Sequence, residues 1–301
     1  MFQEFLEKAV KKLKYYQLLD WLPDKIYLKI MYYACMHEKL NLKNPRSFNE
    51  KLQWIKLYDR SPEYTQMVDK YEAKGYVADR IGKQYIIPTL GIWKHFDDID
   101  FKLLPNQFVL KCTHDSGGLV ICRDKNKLDL NAAKKKIEKS LSTNYYYNGR
   151  EWPYKDIKPR IIAEEYMEDN GSKELIDYKF YCFGGEPRFL YVSKGLENHQ
   201  TARISFVTLD WKPATFGRSD YKPFEKLPNK PQNFEKMVEL ARELSKGYSF
   251  LRVDLYEING RIYFSELTFS PNAGMMPFSP KNYDYILGDM LILPKRGGES
   301  W

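Results

Sequence analysis

The sequence predicts an α+β fold, and three observations carry the prediction. Its first stretch, to about residue 65, places apolar residues at helical spacing. A module of two β-type runs and one helix follows. The last half then alternates β-type runs with glycine turns, the pattern of antiparallel hairpins with helices packed against them.

In the first region Phe2, Leu6, Ala9, Val10 and Leu13 follow a helical stripe, with Lys8, Lys11, Lys12 and Lys14 mostly around the opposite face. Such a basic amphipathic start can pack as an ordinary helix or rest on an acidic membrane surface. A second helix is expected after Pro23, running through Tyr33. Ser47, with Glu50 three residues on, reads as a capping box opening a third helix. One further helix is expected over residues 62–82, with Gly82 as its C-cap.

Next comes a short strand expected to end near Pro88, and then the segment FVLKCTHDSGGLVICRD. Its two apolar runs read as buried strands, with Lys111 near the end of the first. In the loop between them Ser116, Gly117 and Gly118 could close on a phosphate, or form a plain hairpin turn. A lysine-rich helix over residues 131–141 precedes an aromatic loop, Tyr145 to Tyr154, which either folds on its own rings or stacks on a ligand. The run RIIAEEYMED is a strand ending in acids. DYKFYCF and PRFLYVSK form a hairpin about Gly184-Gly185, with Asp177 and Lys179 on one face. Residues 201–232, including Arg203, read as sheet edge and loop; a helix capped by Gly247 follows.

The last informative segment runs from Ser249 to Pro277. Asn259-Gly260 suits a type I′ turn, because both residues accept positive φ. Asp254 lies five residues before that pair and Glu266 six after, so the two come roughly opposite in a hairpin. Facing carboxylates call for a cation such as Mg²⁺, which usually arrives with nucleotide phosphates; solvated charges on a surface hairpin are the plainer alternative. Arg252 shares the face of Asp254 and could meet a phosphoryl oxygen or a developing oxyanion.

Composition bounds the function. The 301 residues suffice for one large or two to three small domains, and 43% hydrophobic content is ordinary for a globular chain. A net charge of +8 points to an anionic partner, yet no nucleic-acid recognition signature accompanies it. The apolar runs are too short for a membrane span and the charged N-terminus lacks a signal-peptide core, so a cytoplasmic protein is expected. Cys35, Cys112, Cys122 and Cys182 show neither zinc-site nor disulfide spacing. His37, His95 and His199 read as structural, and His114 as loop packing rather than a proton carrier.

Taken together, the words PRSFNEKLQWIKLYD, DKY, FVLKCTHDSGG, GREWPYKDIKPRIIAEEYM, DYKFYCFGGEPRF and FLRVDLYEINGRIYFSELTFSP resemble the ATP-grasp superfamily. The resemblance is narrower to its TupA-like branch, of teichuronopeptide biosynthesis, and covers about residues 20 to 294. It implies two α+β subdomains clasping a nucleotide after a helical N-terminal region. The divisions would be 1–65, a linking segment 66–110, a lid subdomain 111–167, a metal-bearing subdomain 168–294 and a tail 295–301.

By the same resemblance, Lys111 would reach the phosphates and Lys70 would also face the nucleotide, and the loop from Thr113 through Ser116, Gly117 and Gly118 would cover the phosphates. Glu164, Glu165, Tyr166 and Met167 would clamp adenine, and Asp177 and Lys179 would sit near the ribose and terminal phosphate. Asp254, Glu266 and Thr268 would hold magnesium; many relatives have Asn at the position of Thr268, a better ligand than a hydroxyl. Arg252, Lys179 and Arg203 are the candidate catalytic cations.

The implied activity is an ATP-dependent carboxylate–amine ligase working through an acyl phosphate. Its partners would be ATP, Mg²⁺, an acidic sugar or acidic peptide, and an amine, in the biosynthesis of a surface polysaccharide such as a capsule. Peripheral contact with an acidic membrane surface would be compatible with that setting. A glycosyltransferase or sugar kinase of the same biosynthesis is the alternative, and a non-catalytic glycan or membrane-surface binder a further one.

Overall fold

Side chains that alternate every second residue build two antiparallel sheets, and what each face carries decides where the cleft lies. The structure, a computed structural model, describes residues 2–170, 175–196 and 200–295. His199 and all but the first residue of the expected tail lie outside the described residues.

Helices α1 (Phe2–Tyr15), α2 (Asp24–Met36) and α3 (Phe48–Tyr58) open the chain. The capping box of α3 is present: Glu50 N donates to Ser47 Oγ and Ser47 N to Glu50 Oε2, both at 3.2 Å. The single helix expected over residues 62–82 is instead two, α4 (Pro62–Val68) and α5 (Glu72–Ile81). Asp69 causes the break. Its Oδ1 accepts from Tyr71 N at 2.8 Å and Glu72 N at 3.1 Å, so a side chain satisfies donors at the start of α5.

A four-stranded sheet follows, built from β1 (Thr89–Trp93), β2 (Phe108–Cys112), β3 (Leu119–Cys122) and β4 (Ile161–Glu165) in the order β1-β4-β2-β3. The strand expected to end near Pro88 begins just after it, because proline has no N–H to give a ladder. Helix α6 (Leu130–Leu141) covers one face, meeting Phe108, Leu110, Cys112 and Ala163 with Ala133 and Ile137. After α6 comes the short α7 (Tyr146–Gly149).

The second sheet has the order β10-β9-β5-β6-β7, from β5 (Ile176–Phe183), β6 (Glu186–Lys194), β7 (Arg203–Thr208), β9 (Phe250–Ile258) and β10 (Arg261–Thr268). The small strands β8 (Gly217–Arg218) and β11 (Phe278–Ser279) pair with each other, and α9 (Tyr283–Met290) is the last helix among the described residues. The hairpin turns are as expected, with φ of 58° and 83° at Gly184-Gly185 and 51° and 74° at Asn259-Gly260.

Each face of this sheet is closed differently. Phe180, Cys182, Leu190, Val253 and Leu255 pack with Phe234, Met237, Ala241 and Leu244 of α8 (Phe234–Ser245) and with α5. On the other face Tyr181, Phe183, Phe189 and Phe250 lie beneath α2 and α3, with Phe48 against Phe250 at a ring separation of 5.0 Å. Toward the start of β5 that second face turns from aromatic to charged. The cleft begins there.

Candidate functional site

Two cross-strand rows define the floor. One reads Glu266, Asp254, Lys179, Tyr191 across β10, β9, β5 and β6; the next reads Thr268, Arg252, Tyr181, Phe189. The first row carries charge, the second mostly ring. Regular pairing from the Asn-Gly turn would set Ser265 against Asp254, but an irregularity between Phe264 and Glu266 shifts the register by one. Glu266 becomes the partner.

The positive charge between these carboxylates is Arg252. Its Nε donates to Asp254 Oδ1 at 2.7 Å, while Nη2 donates to Asp254 Oδ2 and to Glu266 Oε1, both at 2.6 Å. Lys179 Nζ adds a 2.6 Å bond to Asp254 Oδ2 and lies 3.3 Å from Asp177 Oδ1. Asp254 is fully buried, so its charge depends on these cations. Burial alone would lower the pKa of Lys179, but Asp177 and Asp254 raise it well above its usual value.

The roof comes from the small sheet. On β2 the helix-facing residues alternate with Val109 and Lys111, which point the other way, as do Leu119 and Ile121 on β3 and Glu164 on β4. A cleft of about 970 Å³ lies between the sheets, walled by these residues, Tyr166, Met167, Leu175 and Tyr256. A smaller cavity of about 220 Å³ shares Lys111, Glu164 and Asp177 with it and adds Lys70, Lys74, Lys179 and Glu266. A slot whose walls mix apolar side chains with Arg123, Lys136 and Glu165 thus runs into a pocket rimmed by four lysines, a shape and chemistry suited to a ligand with a flat end and an anionic tail.

Glu164 organises the lysines. Lys74 Nζ reaches it at 2.5 Å and Lys111 Nζ at 2.6 Å. Burial works against the charge of Glu164, yet the two lysines hold its carboxyl down at about 2. Its stabilising contribution is therefore complete above the ordinary carboxyl value of 4.5 and is lost as pH falls toward about 2. Glu164→Gln should lose stability at neutral pH and converge on the wild type in acid. Urea unfolding of both proteins across that range would show the gap narrowing, and a gap independent of pH would refute the assignment.

Lys74 was not singled out from the sequence. On the single helix expected over residues 62–82, its place four residues after Lys70 would put the two on one face, but Lys70 lies outside α5. Lys74 Nζ is also anchored by Ile87 O at 2.7 Å and Thr89 Oγ1 at 3.0 Å. Lys70 sits in the break between α4 and α5. Its N donates to Thr113 O at 3.0 Å and its Nζ to Asp115 O, while Arg160 clamps Asp69 at 3.0 Å and Glu72 at 2.8 Å.

The loop from Thr113 to Gly118 is tied down rather than open. Asp115 accepts from Gly118 N at 3.1 Å and from Ser140 Oγ, and Ser116 Oγ meets Tyr145 Oη at 3.0 Å. A Cβ on Gly118 would stand 2.4 Å from Ser140 Oγ and 2.5 Å from Cys112 Sγ, so only glycine fits; one on Gly117 would make an ordinary contact with Asp115 Oδ2 at 3.6 Å. Thr113 is buried, and His114 is held by its Nε2 at 3.1 Å from both Ser140 O and Thr143 O, which is loop packing.

The aromatic loop folds on its own rings: Tyr145 and Tyr154 meet edge-on at 4.9 Å, and Arg150 lies over Tyr147 at 4.8 Å. Arg203 stands apart from the charged row. At the start of β7, its Nη1 donates to Thr201 O at 3.1 Å and Ala202 O at 2.9 Å, and it lines neither cavity.

The acids differ in what they offer a cation. Asp254 spends both oxygens on Arg252 and Lys179. Glu266 commits Oε1 to Arg252 and lines the smaller cavity beside Asp177, whereas Thr268 Oγ1 lies 3.5 Å from that same Oε1 and lines neither cavity. Among the described residues no three His, Cys, Asp or Glu side chains gather as a metal cluster. One or two carboxylates suit Mg²⁺ that keeps its waters and takes remaining oxygens from phosphates. Among the described residues, too, no helix is long and apolar enough to cross a membrane.

Residues 50–292 match the model of the TupA-like ATPgrasp family. No curated protein matches. Among solved structures, D-alanine–D-alanine ligase from Bacillus anthracis complexed with ATP is similar at 15% identity and a TM-score of 0.42, over 75% of this chain and 63% of that one. The Helicobacter pylori D-alanine–D-alanine ligase gives 15%, 0.43, 83% and 70%. N5-carboxyaminoimidazole synthetase from Staphylococcus aureus complexed with ADP gives 13%, 0.35, 67% and 44%. The chain thus spans less than two thirds of the first and last of these proteins.

Proposed function

Because this chain belongs to the TupA-like ATP-grasp family, we propose that it is an ATP-dependent ligase joining a carboxylate to an amine. The observation that carries the reading is the cleft itself: a slot of mixed apolar and polar lining that opens onto Lys70, Lys74, Lys111 and Lys179, with Glu266 and Asp177 beside them. A site of fixed cations suits phosphoryl transfer, in which the protein positions reactants and neutralises charge rather than supplying a nucleophile.

In this reading the slot between Val109, Ile121, Met167 and Leu175 takes the nucleotide base, and the lysines take the phosphates. The substrate carboxylate attacks the γ-phosphorus and ADP leaves. The amine then attacks the acyl phosphate at its carbonyl carbon, phosphate departs, and the nitrogen gives up a proton as the amide forms. Arg252, buried and with two of its three nitrogens spent on Asp254 and Glu266, lines neither cavity itself; through Glu266 it would lend positive charge near the carbonyl oxygen where negative charge develops. Mg²⁺ would be held by Glu266, with Asp177 at hand, and would supply charge neutralisation for the phosphates; Asp254 joins only if a cation releases one of its oxygens. The acid would be an acidic sugar or acidic peptide of a surface polysaccharide, and the amine an amino acid or amino sugar. The net charge of +8 supports an acidic substrate.

Hydroxylamine separates this reading from a sugar kinase or glycosyltransferase. With ATP, Mg²⁺ and a panel of uronic acids and acidic peptides, the expected result is ADP release accompanied by a hydroxamate. ADP release onto hydroxyl acceptors without hydroxamate would replace the ligase with a kinase.

A further inference from the structure

Residues 13–33 carry a surface that the cleft does not use. On α2, Lys25, Ile26, Lys29, Ile30 and Tyr33 are all exposed, and steps of about 100° per residue put them within one arc of the helix. The opposite side, with Tyr27, Leu28, Met31 and Tyr32, is buried in the core. The end of α1 and its connection to α2 add Leu13, Tyr15, Tyr16, Leu18 and Trp21, with Tyr15 71% and Trp21 79% exposed. Single apolar residues on a surface mean little, but so many on one helix pair mark an interaction site.

This display is held rigidly. Arg150, itself buried, donates from Nη2 to the carbonyls of Leu19 at 3.2 Å, Asp20 at 2.8 Å and Leu22 at 3.2 Å, while its guanidinium lies 4.5 Å from the centre of the Tyr27 ring. Trp21 Nε1 closes the turn on Leu18 O at 3.0 Å. The connection is thus anchored from beneath with its largest ring outward.

Charge selects the occupant. Exposed Lys8, Lys12, Lys25 and Lys29 lie on the same two helices, whereas Glu7 is bonded to Lys11 and Asp24 to Arg60. Protein–protein interface centres are depleted of lysine. At a bilayer surface the combination works: rings and aliphatic chains enter the headgroup boundary, and lysine stems lie along it with their ammonium groups at the lipid phosphates. We propose that this face of α1, α2 and their connection seats the protein on an anionic bilayer. It precedes the family-matched residues 50–292.

The test mixes the full chain with vesicles of phosphatidylglycerol and phosphatidylcholine, and with vesicles of phosphatidylcholine alone. Binding to the anionic vesicles only, weakened by salt and accompanied by a blue shift of tryptophan emission, is the expected result. The double variant Leu18→Ser, Trp21→Ser should bind at least about tenfold more weakly, with melting temperature and ADP release in solution unchanged. Lys25→Glu with Lys29→Glu should weaken binding equally. Absence of binding to anionic vesicles overturns the proposal, as does a double variant that binds like the wild type. A dimer that the double variant abolishes, without vesicle binding, would assign the face to a second copy of the chain. None of these outcomes touches the ligase reading, whose cleft lies elsewhere.

Discussion

Replacing Arg252 by methionine is expected to destabilise the protein by about 3–5 kcal/mol and to abolish turnover. The reason is Asp254, fully buried, whose two oxygens are shared between Arg252 and Lys179. Burial drives that carboxyl upward, and the two cations pull the other way. Without the guanidinium, Lys179 is left to offset both Asp177 and the buried Asp254. Arg252→Lys restores the charge but not the fork that spans both carboxylates, so it should recover part of the stability and little of the activity. Urea unfolding and ADP release on the same preparations would measure both effects. A stability loss below about 1 kcal/mol for the methionine variant would mean that Arg252 does not hold Asp254 in place.

Glu266→Gln should shift the balance the other way, leaving a folded protein and losing the reaction. Glu266 stands at the cavity, and an amide oxygen can still accept the bond from Arg252 Nη2. Burial opposes its charge, but Arg252, Lys179 and Lys70 hold its carboxyl down at about 2, so it is ionised at any working pH. That negative charge is what the glutamine lacks. ADP release should fall by about 10²–10³, with a raised requirement for Mg²⁺. The melting temperature should fall at neutral pH and converge on the wild type in acid, because the cations that hold the carboxyl down also draw stability from its charge. Turnover within about threefold of wild type, at the same Mg²⁺ dependence, would remove Glu266 from the reacting site.

Much of the scaffold was legible because it is local. Gly184-Gly185 and Asn259-Gly260 mark their turns by the positive φ they accept, and Ser47 with Glu50 marks the start of α3 by hydrogen bonds within one turn. Alternation along β2 and β5 separated core-facing from cleft-facing side chains. The break at Asp69 was missed because periodicity continues across it while a side-chain cap ends the helix. Lys74 was hidden with it.

What the sequence alone determined is therefore the family, the hairpins and the residue types that meet at each strand face, since each is set by neighbours a few positions away. The tertiary structure decided which charges neutralise which. Asp254 meets Glu266 through a one-residue irregularity, Lys179 meets Asp254 across strands 75 residues apart, and Lys74 meets Lys111 only through Glu164. Pairings of this kind depend on burial, which removes the water that would otherwise screen each charge, and burial exists only once the sheets and helices have closed around the cleft.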